Sequence, residues 1–192
     1  MKYFPELGSD RLILNQIKPS DIPEIVTYAS NIKIVENTRT MPHPYHEEDA
    51  IAWMNMANQG FKAKNNFLFA IRFKKTQALI GGIGLTLDME NNRAELGYWL
   101  AEKFWSKGFT TEAVQTILKF GFEQLKLNKV VAVYLTTNQA SGKVMIKNGM
   151  TKEAEFKNHD VKRGRSIADK DYVSLTQYRM LKGEYEHFKH NK

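Results

Sequence analysis

Between Phe67 and Leu135 the apolar residues change their period, and that change leaves few architectures open. Phe67, Phe69, Ile71 and Phe73 alternate with Leu68, Ala70 and Arg72, the period of a strand. Lys74–Gln77 reads as a turn into a second strand, Ala78–Leu87. Asp88–Asn92 is another turn, into a third strand, Arg93–Leu100. Connections this short join strands as an antiparallel meander. From Ala113 the spacing turns helical: Ala113, Val114, Ile117, Leu118, Gly121, Phe122 and Leu125 form one broad stripe. The unbroken apolar run Val130-Val131-Ala132-Val133-Tyr134-Leu135 then reads as a strand buried on both faces. A meander followed by a helix and a further strand requires a mixed sheet.

The remaining segments extend the same plan. Leu12–Ile17 is a first strand closed by Lys18-Pro19, and Ser20 and Asp21 open a helix that tolerates Pro23 in its first turn. Glu47-Glu48-Asp49 start a second helix, in which Ala50, Ile51, Met54, Ala57 and Phe61 recur at helical spacing. A shorter helix from Gln139 to Asn148 stops at Gly149. Two last strands, Lys152–Asn158 and Lys170–Arg179, flank a polar loop, His159–Asp169. The expectation is a single α/β (α+β) domain over residues 1–181, with a basic polar tail, 182–192. Its mixed sheet has about six to seven strands and its helices number about four.

Composition narrows the chemistry. The chain has 192 residues and no cysteine, which removes disulfides, thiolate nucleophiles and cysteine metal sites together. No apolar run approaches the roughly 20 residues that span a bilayer, and no signal-like stretch follows Lys2, so a cytoplasmic protein without a membrane partner is expected. A formal charge of +7 favours an anionic partner: nucleic acid, a membrane surface or a phosphorylated cofactor. The lysines and arginines are scattered, however, and no motif for base or strand recognition is present. Direct nucleic-acid recognition is therefore not expected.

Two clusters could carry chemistry. In the first, Arg93–Leu100 leads through Trp105-Ser106-Lys107-Gly108-Phe109-Thr110 into the long helix. Helix N-termini present unpaired N–H groups and partial positive charge, which suit a pyrophosphate, and Gly108 lets phosphate oxygens approach the backbone. An ordinary turn beside a solvated Lys107 would look the same. In the second, Asn138-Gln139-Ala140-Ser141 begins the next helix, where Asn138 is also a good cap. Two parallel-type strands, each followed by a helix N-terminus, would splay and leave a cleft at their C-terminal ends, where open α/β sheets bind ligands.

Glu95-Leu96-Gly97-Tyr98-Trp99-Leu100, the Trp105–Ala113 segment, and Asn138-Gln139-Ala140-Ser141 followed by Lys147-Asn148-Gly149-Met150 resemble the GNAT N-acetyltransferases. The likeness is strongest to the branch that acetylates ribosomal-protein N-termini, the RimJ/RimL type, and runs from about Arg11 to Leu181. It implies a sheet splayed between its fourth and fifth strands and transfer of an acetyl group from acetyl-CoA to a primary amine, without a metal. The pyrophosphate would lie on the backbone of Trp105, Ser106, Lys107, Gly108, Phe109 and Thr110. The pantetheine arm would pair with Trp99 and Leu100, with Asn138 as its anchor. Ser141 matches the serine that serves the departing thiolate. Many relatives carry a tyrosine four residues later; here that position is Met145.

The amine must be neutral to attack, so a base is needed. Glu95, through water, is the first candidate, with Asp160 and His159 as runners-up. The acceptor amine is a peptide N-terminus in this branch; an antibiotic, amino sugar or amino acid is also open, and a homodimer is common among relatives. Tyr45 and Trp53 are candidate acceptor contacts, or core residues. His43 and His46 beside Glu47 and Glu48 do not amount to a metal site, since nothing supplies a second shell. Two other classes remain: a non-catalytic acyl-CoA-binding module on the same fold, and a ribosome- or RNA-binding protein. The presence of Glu95 and Ser141 argues against the first.

Overall fold

Alternation along the strands separates two hydrophobic cores, one on each face of the sheet. The computed structural model describes residues 3–161 and 172–190. In chain order the strands are β1 (Leu7–Gly8), β2 (Leu12–Asn15), β3 (Asn66–Phe73), β4 (Leu79–Asp88), β5 (Arg93–Leu100), β6 (Lys129–Leu135), β7 (Thr151–Val161) and β8 (Tyr172–Leu181). The helices are α1 (Ile22–Ala29), α2 (Ile32–Glu36), α3 (Glu47–Ala63), α4 (Phe109–Lys119), α5 (Gln139–Lys147) and α6 (Lys182–His190). Phe67, Phe69 and Ile71 of β3 join Val114, Ile117 and Leu118 of α4 in one core. Ala70, between them in sequence, packs in the other core with Ile25 of α1, Ile34 of α2 and Ala57 of α3.

All eight strands form one sheet, in the order β1-β2-β3-β4-β5-β6-β8-β7. The β3–β4–β5 meander is antiparallel, as the short turns require. β5 and β6 run parallel, and their ladder ends at Leu96↔Ala132. Beyond it β5 stays paired with β4 as far as Leu100, while β6 stays paired with β8 as far as Leu135. The two central strands therefore part at Gly97; they are the expected fourth and fifth strands, which the short β1 makes the fifth and sixth.

Several expectations need correction. Among the described residues, the two-residue β1 pairs with β2 and raises the strand count to eight. α2 and α6 raise the helix count there to six. α2 has only five residues, too few for a periodic signal. Within the basic polar tail, residues 182–190 form a helix, in which Tyr185 is buried and its ring stacks on Phe122 at 4.8 Å. His159 and Asp160 belong to β7 and not to a loop; residues 162–171, including the expected start of the last strand at Lys170, lie outside the described residues. Ile51 is 39% exposed, so it lies off the buried face of α3. α4 begins at Phe109, and its stripe continues through a π-helical turn, Phe120–Gln124.

Candidate active site

Two cavities open on the splay. The first, of about 420 Å³, is walled by the C-terminal end of β5, the start of α4 and the start of α5. Its lining includes Trp99, Leu100, Trp105, Ser106, Gly108, Phe109, Thr110, Asn138 and Ser141, nine of the ten residues assigned to cofactor binding. Lys107 is the exception. Its Nζ donates to the Lys103 carbonyl at 2.8 Å, and its own carbonyl accepts from Arg11. The groove takes its charge instead from Lys143 and Lys147 of α5, which helical spacing places on one face and the sequence reading missed.

The loop before α4 is shaped by backbone conformation. Ser106 (φ 60°) and Gly108 (φ 80°) are both left-handed, and Gly108 is the N-cap of α4. A side chain at 108 would be strained there, although only Arg11 comes within 4 Å of where a Cβ would sit. The amides of Phe109, Thr110 and Thr111 fall in the first turn, where no intrahelical acceptor exists, whereas Glu112 N donates to Gly108 O at 3.1 Å. The Glu112 carboxylate fixes this end of α4 to the turn between β1 and β2: it accepts from Ser9 Oγ at 2.7 Å, Arg11 N at 2.8 Å and Arg11 Nε at 2.6 Å. Free amides, a cationic wall and an unpaired strand edge at residues 97–100 fit a long phosphorylated thioester.

Asn138 and Ser141 lie opposite that edge. Asn138 Oδ1 accepts from Ser141 N at 3.2 Å, the cap its sequence position suggested, while Asn138 Nδ2 donates to Asn37 O at 3.1 Å. Both ends of the amide are thus engaged. Ser141 is buried and faces both cavities. Met145, at the position where many relatives have tyrosine, is buried in the α4-side core.

The second cavity, of about 700 Å³, opens between α3, the segment preceding it, and the β4–β6 strands. Tyr45 and Trp53 line it and also belong to the core beneath. Trp53 meets Trp99 edge to face at 6.0 Å. Burial, with Asp49 nearby, pushes the Tyr45 phenol up to about 12. Glu95 also lines the cavity, and a residue that the sequence reading missed engages it. Arg39 Nη1 donates to Glu95 Oε1 at 2.9 Å, and Arg39 Nε and Nη2 donate to Asp160 Oδ2 at 3.2 and 3.1 Å. One guanidinium thus gathers both candidate carboxylates, from β5 and β7. Nothing in its local sequence marks Arg39; only the folded segment after α2 brings it there.

The two cavities share Asn37, Thr38, Tyr98, Trp99 and Ser141. A donor in the groove and an acceptor in the second cavity would meet in the gap between β5 and β6. Such a gap allows direct transfer between two bound molecules.

Known proteins share this fold. The family model for the acetyltransferase (GNAT) domain matches residues 11–151. The uncharacterised N-acetyltransferase YoaA of Bacillus subtilis is 31% identical over 167 residues, 84% of this chain and 91% of that protein. Among solved structures, the ribosomal L7/L12 α-N-protein acetyltransferase RimL in complex with coenzyme A superposes with a TM-score of 0.81 at 18% identity, covering 92% of this chain and 98% of the other. The spermidine N-acetyltransferase of Vibrio cholerae, in complex with CoA and spermine, gives 0.77 at 18% identity, covering 93% and 99%. With motif, groove and family model in agreement along most of its length, the chain belongs to the GNAT family and is an acetyl-CoA-dependent N-acetyltransferase.

Proposed function

We propose that the chain acetylates the amino group of a peptide N-terminus by direct attack, with donor and acceptor bound together. The observation that carries this reading is the meeting of the two cavities at Tyr98, Trp99 and Ser141. Absence of cysteine leaves no thiol to take the acetyl group first. Ser141 donates a hydrogen bond to the departing sulfur. Glu95, with one oxygen held by Arg39, takes the amine's proton through water, and Asp160 holds the same arginine from β7. The amides at 109–111, Gly108 and the flanking Trp105 and Ser106 cradle the pyrophosphate, and Asn138 anchors the pantetheine. The acceptor cavity is wide, and Met41, Trp53, Met56 and Leu68 give it apolar walls that suit the first side chain of a peptide. A cytoplasmic site of action accords with the need for acetyl-CoA.

A second acceptor class has its own support. Asp49 and Glu95 line the cavity and Asp160 pairs with Arg39, so the acceptor side carries three carboxylates, of which Arg39 engages two. A polyamine would be drawn to that excess despite the chain's +7 charge. The test is a thiol-release assay with acetyl-CoA, offering N-terminal peptides of different first residues alongside spermidine. Turnover that tracks the first residue supports the peptide reading. Turnover with spermidine alone replaces it with the polyamine reading.

A further inference from the structure

Tyr98 carries a feature that neither the fold nor the roles above require. Its ring is half-buried, but its hydroxyl oxygen is sealed from solvent and has no hydrogen-bond partner among the described residues. Buried hydroxyls are almost always paired, so an orphan calls for an explanation. This one sits beyond Leu96, in the stretch of β5 that has lost β6, and borders both cavities. Ser141 lines the same two cavities and its side chain acts on the phenol, while Tyr134 of β6 lines the second cavity. Burial pushes the phenol up to about 12, with Ser141 acting the other way, so Tyr98 stays protonated and able to donate across the neutral range.

We infer that Tyr98 is a positioning residue for Ser141: as the thiolate leaves, its phenol O–H, unpartnered in the ligand-free protein, donates to Ser141 Oγ and so turns the serine's own proton toward the departing sulfur. The inference rests on the proposed role of Ser141. A serine hydroxyl alone can rotate its proton to several acceptors. A donor behind it removes that freedom and polarises the O–H, since hydrogen bonds in a chain strengthen one another. Tyr98 would thereby supply from the strand what many relatives draw from a tyrosine at the position of Met145. No proton need leave Tyr98; the sulfur gains a better donor as its bond to carbon breaks.

CoA itself is the probe, because its thiolate mimics the departing group and needs no acceptor. The affinities of CoA and acetyl-CoA are measured at pH 7 and pH 9 for the wild type, Tyr98→Phe, Ser141→Ala and the double variant. Their ratio cancels titration of groups that serve both ligands, such as Lys143, Lys147, Tyr134 and the Arg39–Glu95 pair. If the site favours the thiolate by about one pKa unit, the CoA to acetyl-CoA ratio rises up to about tenfold between these pH values in the wild type. Tyr98→Phe should flatten that rise to the Ser141→Ala level, with no further loss in the double variant. Its ligand-free melting point and acetyl-CoA affinity should not fall, because an unpartnered hydroxyl has no bond to lose. A wild-type rise in Tyr98→Phe beside a flat Ser141→Ala would mean that the serine acts alone and would overturn the inference. Equal ratios in all four proteins would remove the role of Ser141 and the inference with it. A lowered melting point or weaker acetyl-CoA binding in Tyr98→Phe would make Tyr98 a structural residue and overturn it as well.

Discussion

Removal of Arg72 should unpair a buried charge and destabilise the whole domain. Arg72 on β3 and Asp21, at the entrance to α1, have side chains only 7% exposed each, and Arg72 Nη2 donates to Asp21 Oδ2 at 2.5 Å. Arg72 Nε also donates to Asn15 Oδ1 at 2.8 Å, and Asp21 Oδ2 accepts from Lys18 N at 2.7 Å. In Arg72→Met the Asp21 carboxylate stays buried with one backbone donor as its remaining partner. Breaking such a pair from one side costs about 3–5 kcal/mol. With a denaturant slope of about 2 kcal/mol/M, the urea midpoint should fall by roughly 2 M. The double variant Asp21→Asn/Arg72→Met, with no charge left to strand, should recover about half of that loss or more. Equilibrium urea unfolding of the wild type, both singles and the double closes the cycle. A loss under about 1 kcal/mol in Arg72→Met, or singles that simply add in the double, would refute the argument from an uncompensated buried charge. The pair lies on the acceptor side of the sheet, so the folded variants should bind acetyl-CoA as the wild type does.

Three other outcomes are expected. Gly108→Ala should cost about 1 kcal/mol of stability through its left-handed φ but lower acetyl-CoA affinity more than tenfold by calorimetry; unchanged affinity would take the pyrophosphate off this loop. Burial works to raise the Glu112 carboxyl, but the Arg11 amide, the Ser9 hydroxyl and the Arg11 guanidinium together hold it below the usual glutamate value. A carboxyl depressed in the folded state lends stability above its unfolded pKa and loses it as pH falls through the folded one. Glu112→Gln should therefore cost about 2 kcal/mol at pH 7, and the cost should shrink below about pH 4.3; a penalty that ignores pH would count against the charge. Truncation after Leu181 removes the buried Tyr185 ring from Phe122. It should lower the melting point by roughly 5–10 °C, from about 2–3 kcal/mol at 2–4 °C each; an unshifted melt would mean that α6 adds nothing.

What could be read in the sequence was whatever rests on local spacing. The alternation of Phe67, Phe69 and Ile71 against Ala70 marked two faces, and the helical stripe from Ala113 marked the crossover that makes β5 and β6 parallel. Gly108 and the Asn138–Ser141 cap sit at element boundaries, where backbone requirements limit the residue types, so the starts of α4 and α5 could be placed to within a few residues. The exceptions are equally physical. Nothing local in Lys107 distinguishes a charge facing phosphate from one folded back on Lys103. The tail looked polar because most of its residues are, yet Tyr185 and a stacking partner 63 residues earlier make it a helix. Arg39 acquires meaning only when a segment without periodicity carries it to Glu95 on one strand and Asp160 on another. Tyr98 could be quoted as part of a motif, but that its oxygen has no partner depends on every neighbouring atom. Periodicity along the chain settled the elements and their order. Which charges meet, and which hydroxyl is left alone, was decided by contacts between residues far apart in sequence, and these exist only once the sheet has formed and splayed.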